Sequence, residues 1–317
     1  MATLLIKTVV ERIEEAADGI RTLTLRHAKN RPFPVWTGGA HVDVLLGNDL
    51  IRQYSLCSNP NERNLLQIGV LHDTNSRGGS AYIHTQIKAG DTLIVRSPRN
   101  TFGLVADAKR HLFLAGGIGI TPFVAMIHEA LDRNEAFSLH YCTRAKDVTA
   151  FRDELLRLCG PDRLVHYFDG GDPAHGCDLT GLLAEHAVGT HLYACGPAGL
   201  LLAAEQASRH WPADAVHFER FVGAEPIPTG SAEPFIVELL KSGKSIEIAA
   251  DETILAALDR HEISLERGCE TGACGACLVN FVDGSPIHRD VCLSERERQA
   301  TIAPCVSRAT GVLKLDI

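Results

Sequence analysis

Residues 1–100 alternate apolar and polar positions in short runs. Strands are expected at Ile6–Ile13, Ile20–Arg26, His41–Leu46, Arg52–Cys57, Leu65–Leu71 and Asp91–Ser97. Turn signals at Asp18-Gly19, Gly38-Gly39, Gly47-Asn48, Asn59-Pro60 and Gly90-Asp91 punctuate them. Evenly spaced short strands predict an antiparallel β-barrel. A short helix at about Ser80–Lys88 interrupts them.

The rhythm changes over 105–223. Short apolar runs at His111–Ala115, Phe137–Cys142, Val165–Phe168, His191–Cys195 and Ala215–Phe221 read as strands. Helical stretches through Met126 to Asn134 and at Ala150–Leu158, Leu179–His186 and Leu200–His210 lie between them. This alternation predicts a doubly wound parallel sheet. Residues 224–233 are rich in Pro, Gly, Ser and Ala and read as a linker. In the last unit, 234–317, a hairpin (Phe235–Leu240, Ser245–Ile248), a helix (Thr253–His261), a cysteine loop and further strands are expected. The domain expectation is therefore 1–104, 105–223, linker 224–233 and 234–317.

Four cysteines carry the sharpest chemistry. Cys269, Cys274 and Cys277 have C-x4-C-x2-C spacing, and Cys305 follows later in the chain. That is the plant-type [2Fe–2S] pattern. Three thiolates on one loop must wrap a rigid, negatively charged cluster. Gly268, Gly272, Ala273, Gly275 and Ala276 keep side chains clear, so backbone N–H groups can approach the sulfurs. The rival is a four-thiolate zinc site, which more often uses paired C-x2-C knuckles. Cys292 is the rival fourth ligand, but it follows Cys277 closely. Cys57, Cys142, Cys159, Cys177 and Cys195 read as buried or incidental thiols.

Two further signatures suit nucleotides. Arg52-Gln53-Tyr54-Ser55-Leu56 opens a strand and offers a cation, an aromatic ring and a hydroxyl to a flavin. Arg77-Gly78-Gly79-Ser80 precedes the short helix. There the helix N-terminus favours a phosphate, and Ser80 can cap. Gly116-Gly117-Ile118-Gly119-Ile120-Thr121-Pro122 follows the first strand of the second domain and opens a helix. In open α/β sheets, dinucleotides bind at such a crossover. Ala194-Cys195-Gly196-Pro197 is a second loop of this kind. Arg144 could contact the adenosine half, and Ala145 beside it offers nothing to a 2′-phosphate, which favours NADH over NADPH. Glu219 reads either as a group polarising the flavin region or as a strand-end surface carboxylate.

Composition narrows the classes. Of 317 residues, 45% are hydrophobic and 22% charged, which excludes disorder as the main state. The net charge of −8 argues against a general nucleic-acid binder. Net charge by third is +3 for 1–104, −7 for 105–233 and −4 for 234–317. A basic first third suits a phosphate-bearing ligand, and an acidic last third suits docking on a basic partner. The alternative is scatter over solvated faces. No signal-peptide pattern is visible, and Leu112–Ile127 is too short and glycine-broken to span a bilayer. The expectation is a cytoplasmic protein with no membrane partner. Ten cysteines there point to metal or redox chemistry rather than to disulfides.

Taken together, these motifs resemble the phthalate dioxygenase reductase family, which includes the vanillate demethylase reductases. Its markers here are Arg52–Leu56, Arg77–Ser80 with His84, Gly116–Pro122, Ala194–Pro197, Cys269–Cys277 and Pro304-Cys-Val-Ser-Arg308. The resemblance spans the chain. It implies an FMN-binding β-barrel, an NAD-binding α/β domain and a C-terminal β-grasp (α+β) ferredoxin domain. It also implies that Arg52, Gln53, Tyr54 and Ser55 touch the flavin, with Gly69, Val70 and Leu71 lining it. Arg77, Gly78, Gly79 and Ser80 would bind its phosphate. Thr121 would reach toward flavin and nicotinamide, and Phe221 would sit near the isoalloxazine ring. The implied role is the reductase component of a multicomponent oxygenase. Electrons would pass from NADH through FMN and the [2Fe–2S] cluster to a Rieske-type terminal oxygenase. The rivals are an FAD-containing hydroxylase reductase and a flavin and iron–sulfur redox sensor without turnover.

Overall fold

The computed structural model describes residues 4–47, 50–74, 78–221, 233–273, 275–293 and 297–317. The chain divides into two compact units, Met1–Glu219 and Arg220–Ile317.

The first unit begins with an all-antiparallel sheet. Its strands are β1 (Leu5–Ala17), β2 (Ile20–His27), β3 (Ala40–Leu45), β4 (Ile51–Ser55), β5 (Leu65–Leu71), β6 (Thr92–Arg96) and β7 (Arg99–Asn100). Helix α1 (Gly79–Gln86) lies between β5 and β6. The order is β4-β3-β6-β1-β2-β5, with β7 paired to β3. The ends of this path meet at an antiparallel bridge between Leu56 and Ile68, which closes the barrel. Inward positions alternate along the strands as a pleated sheet requires. Val10, Leu23, Leu25, Val42, Val44, Leu66, Ile68 and Val95 form its core.

The same unit continues with β8 (Arg110–Gly116), α2 (Thr121–Asp132), β9 (Ala136–Thr143), α3 (Arg152–Cys159), β10 (Leu164–Phe168), α4 (Leu179–Leu182), β11 (Thr190–Cys195), α5 (Ala198–Ser208) and β12 (Val216–Glu219). All pairings are parallel, in the order β10-β9-β8-β11-β12. The order reverses between β8 and β11. That is the switch point at which open α/β sheets bind ligands. The barrel shares a core with this layer: Ile20, Cys57 and Phe102 join Phe113, Phe123, Met126 and Tyr193. At Gly38 an added Cβ would lie 2.6 Å from the Met126 Cα, so the Gly38-Gly39 turn rests on the backbone of α2.

The helix expected over Leu179–His186 is only one turn long. Asp178 caps it by accepting from the Gly181 N–H at 3.0 Å, and it ends at Leu183. Leu183 is fully buried, and His186 Nε2 lies 3.2 Å from the Thr190 carbonyl. These contacts turn the chain back to the sheet before a second turn of helix can form. The two-residue β7 was not expected at all.

The second unit is a mixed sheet: β13 (Phe235–Leu239), β14 (Ser245–Ile248), β15 (Val279–Ile287), β16 (Thr301–Ile302) and β17 (Arg308–Leu315), with helix α6 (Ile254–Arg260). The order is β14-β13-β17-β15-β16, and β13 runs parallel to β17. Ile254, Ala257 and Leu258 of α6 pack on Val237, Ile248 and Leu313, a β-grasp arrangement. Thr253 caps α6 by accepting from the Ala256 N–H at 3.0 Å. Of the expected linker, 224–232 lies outside the described residues.

Candidate functional site

In the flavin segment, the pleat separates Arg52 and Tyr54 from Gln53. The Gln53 amide donates to buried Asp43, its cross-strand neighbour on β3, at 3.3 Å. Asp43 also pairs with Arg96 at 3.2 Å and Arg99 at 2.7 Å. This buried network was not seen in the sequence, where Asp43 is one charged residue in an apolar strand. Burial, aided by Arg99, depresses nearby His41 to about 3. The Tyr54 hydroxyl is buried, which raises its pKa, so it stays a neutral phenol.

Arg52 folds over the start of α1: a Cβ at Gly79 would lie 2.6 Å from its Cγ and Nε. Only glycine lets this cation sit on the helix N-terminus, which suits a phosphate. Gly78 is the helix N-cap, in the left-handed region at φ 87°. The capping open to Ser80 does not occur. Ser80 lies inside the first turn and exchanges hydrogen bonds with the Asp73 backbone N–H and carbonyl, both at 3.3 Å. Arg77, the remaining phosphate residue, lies outside the described residues. His84 Nε2 sits 2.9 Å from the Val70 carbonyl, fastening α1 to β5. Val70 is buried, whereas Leu71 is 40% exposed.

The nucleotide loops meet at the switch point. Gly116 ends β8, a 3-10 turn spans Gly117–Ile120, and Pro122 sits in the first turn of α2. A Cβ at Gly119 would overlap the Cys195 carbonyl. A Cβ at Gly196 would lie 2.9 Å from the Gly116 Cα, and one at Gly116 would lie 2.7 Å from Pro197. The two loops thus interlock backbone against backbone. Thr121 is buried; its hydroxyl donates to the Ile118 carbonyl at 3.0 Å, and its methyl faces Gly69 of β5. Thr121 therefore lines the junction of barrel and sheet. Arg144 is exposed just beyond β9.

Glu219 resolves the choice left open by the sequence. It is not a bare surface carboxylate. Ser55 Oγ donates to its Oε2 at 3.3 Å, and the Cys195 thiol lies 4.0 Å from the same oxygen. Register places Glu219 directly beside Cys195 on the neighbouring strand. Burial raises the carboxyl to about 8, and burial also raises the Cys195 thiol. Phe221 is 43% exposed and belongs to the second unit.

In the second unit, Cys269 Sγ accepts backbone N–H groups of Thr271 at 3.4 Å and Ala273 at 3.3 Å. This is the amide-to-sulfur arrangement that a cluster requires. Gly272 has φ 71°, and a Cβ there would strike Val306 at 2.6 Å and the Asp290 Cα at 2.9 Å. Cys277 and Cys305 are buried. A hydrogen bond between their thiols lowers the pKa of Cys277 and raises that of Cys305. Cys274 lies outside the described residues. Cys292 sits on the segment that buttresses the loop, where Val291 N–H donates to the Gly272 carbonyl at 3.0 Å. Its own thiol is raised to about 12, chiefly by burial. The same segment carries buried Asp290, which accepts from the Leu293 N–H at 3.0 Å. Nothing in the sequence marks Asp290 as part of the support. Among the described residues, Cys269, Cys277 and Cys305 fit as thiolate donors to a [2Fe–2S] cluster.

Comparison with known proteins agrees with this division. Residues 237–310 match the 2Fe-2S iron-sulfur cluster binding domain, and residues 113–206 match the oxidoreductase NAD-binding domain. The chain is 40% identical over 305 residues to the reductase subunit of phthalate 4,5-dioxygenase from Pseudomonas putida, covering 96% of this chain and 94% of that one. It is 41% identical over 313 residues to the beta subunit of heme-dependent oxidative N-demethylase from Ectopseudomonas mendocina, covering 98% of each. The solved structure of phthalate dioxygenase reductase, described as modular for electron transfer from pyridine nucleotides to [2Fe-2S], superposes with a TM-score of 0.76. It is 35% identical and covers 99% of this chain and 98% of that chain. With its nucleotide sheet and its cluster loop, the chain belongs to the phthalate dioxygenase and vanillate O-demethylase reductases, the NADH-dependent oxidoreductases of oxygenase systems.

Proposed function

We propose that this protein takes hydride from NADH onto FMN at the junction of barrel and parallel sheet. It then delivers single electrons through its cluster to a Rieske-type terminal oxygenase. The observation that carries the reading is the Glu219 carboxyl, which joins Ser55 of the barrel to Cys195 of the nucleotide sheet. When bound, FMN supplies the conversion of a two-electron donor to one-electron transfers, and the cluster supplies the one-electron relay.

The chain's own residues position and shield. Arg52 and the start of α1 hold the flavin phosphate, together with Arg77. Tyr54 offers a ring face, and Gln53, Gly69, Val70 and Leu71 complete the wall. Asp43 fixes Gln53 from behind. The interlocked Gly116–Gly119 and Gly196–Pro197 loops, with Gly117 and Pro122, set the floor for the dinucleotide. Thr121 closes the seam, and Arg144 meets the adenosine half. Glu219 near neutral pH keeps its proton, and so does the Cys195 thiol. No formal negative charge therefore opposes hydride passage beside Ser55.

The acidic charge of 234–317 suits a basic docking face on the acceptor. The likeness to the heme-dependent oxidative N-demethylase subunit favours a heme-dependent oxidative enzyme as the second reading of that partner. A cytoplasmic setting accords with unpaired thiols at Cys57, Cys142, Cys159, Cys177, Cys195 and Cys292, outside the cluster ligands.

Anaerobic titration of the purified protein with NADH, followed by absorbance and EPR, tests the chain of transfers. The expected result is loss of flavin absorbance together with a rhombic signal from one reduced [2Fe–2S] centre. Flavin reduction with an intact but oxidised cluster would overturn it. Extracted flavin mass separates FMN from FAD, and reconstitution with a Rieske oxygenase or a heme-dependent oxidative enzyme separates the two acceptors.

A further inference from the structure

Three of the four cluster cysteines share one loop, whereas Cys305 comes from a separate segment and has to be brought to them. That segment is a tight turn. The Val306 and Ser307 N–H groups both donate to the Ala303 carbonyl, at 3.2 and 3.0 Å. The Leu255 N–H of α6 donates to the Pro304 carbonyl at 3.0 Å. Ser307 is fully buried, and its hydroxyl accepts from the Arg289 N–H at 3.3 Å. Cys305 itself is buried in one small core with Leu255, Cys277, Ala303 and Val306.

Arg308, which opens β17, completes this corner. It is only 4% exposed. Its guanidinium makes three charge-assisted bonds, all to backbone carbonyls: Nη1 donates to Glu252 at 2.6 Å, and Nη2 donates to Glu233 at 2.9 Å and Ala249 at 3.1 Å. Its Cζ lies 4.9 Å from the centre of the Phe235 ring. The three carbonyls belong to two separate stretches. Ala249 and Glu252 lie on the turn that runs from β14 into α6, the helix whose Leu255 holds Pro304. Glu233 stands just ahead of β13, where the chain comes out of the linker composition. A buried guanidinium carries a desolvation cost that an apolar side chain would avoid. What it provides is reach, because a planar fork of donors can gather two stretches of backbone at once.

We propose that Arg308 is a positioning residue for the cluster. It locks the Cys305 turn to the start of α6 and to the chain entry at Glu233, so that a pull along the linker falls on the guanidinium and not on the fourth ligand. Arg308 acts through the turn that precedes it. The inference rests on Cys305 being that ligand.

The test compares variants of the full-length holoprotein by iron and sulfide content, by the rate of cluster loss to an iron chelator, and by EPR of the dithionite-reduced cluster. In Arg308→Gln the loss is expected to quicken about tenfold or more, since charge-assisted bonds are removed, and the g values are expected to shift. Arg308→Lys keeps the cation without the fork and is expected to fall between the two; it decides the matter if Arg308→Gln does not fold. Amide hydrogen exchange at Phe235–Val237 is expected to quicken in both. Val237→Ala loosens the core of the same unit without touching the clamp. It is expected to keep the g values and the chelator rate of the parent. Unchanged chelator rates and g values in the Arg308 variants would overturn the proposal, and so would equal changes in Val237→Ala. Cys305→Ser tests the underlying reading separately: a cluster retained in full there would remove Cys305 as a ligand, whatever the Arg308 variants show.

Discussion

The nucleotide edge of the first unit and the cysteine loop of the second are both glycine-rich, yet their glycines do different work. At the nucleotide edge, Gly116, Gly119 and Gly196 let two loops touch backbone to backbone. That contact is made by the fold itself, before any ligand arrives. In the cysteine loop, Gly272 lets the chain turn under Val306 and Asp290, and Cys269 gathers amide donors. The thiols of Cys277 and Cys305 act on each other, and Cys269 acts on both. One site is finished by packing. The other is finished by the ligand it holds.

The largest expected effect comes from breaking the ligand-dependent site. Cys305→Ser should abolish the cluster, read as loss of bound iron and sulfide. NADH should still reduce the flavin at close to the parent rate, because the nucleotide edge does not depend on the cluster for its shape.

Next is the packed site. Gly119→Ala forces a methyl into the Cys195 carbonyl and should cost about 2 kcal/mol or more of stability, with marked loss of NADH binding. Gly117→Ala sharpens the comparison. It meets no atom within 4 Å but has φ 52°, so it should cost only about 1 kcal/mol. Thermal unfolding and NADH titration of the two variants check this ordering.

Glu219 gives a smaller, pH-dependent effect. Its carboxyl titrates near 8 in the folded chain and near the usual value of about 4 when unfolded. Between those values the folded state holds the extra proton. Stability therefore falls as pH rises from about 4 to about 8, and flattens above that. Glu219→Gln should remove this decline, an effect of at most a few kcal/mol, read from Tm against pH. The smallest effect is expected at the other unit's helix. Thr253→Ala should cost about 1 kcal/mol through loss of the α6 cap, measured by denaturant unfolding.

Much of this was legible in the chain because it rests on local chemistry. Turn residues placed the barrel strands, and β5 and β14 match their expected limits. The strand–glycine–helix pattern placed the switch point, and cysteine spacing placed the cluster loop. What was missed rests on tertiary partners. The Leu56–Ile68 closure of the barrel, the Asp43 ion network and Asp290 beneath the cysteine loop each join segments with no shared local signal. Ser80 was misread for the same reason: Asp73, not the helix end, holds its hydroxyl. Glu219 was ambiguous because only the neighbouring strand shows that it sits beside Cys195.

The interlocked glycine loops also set limits for anyone wishing to re-engineer coenzyme preference. Neither loop can be transplanted alone, since each is the mould for the other. On the proposal that Arg144 meets the adenosine half, changes that introduce a 2′-phosphate contact belong at the exposed stretch Arg144-Ala145-Lys146, where side chains can be exchanged without disturbing that joint.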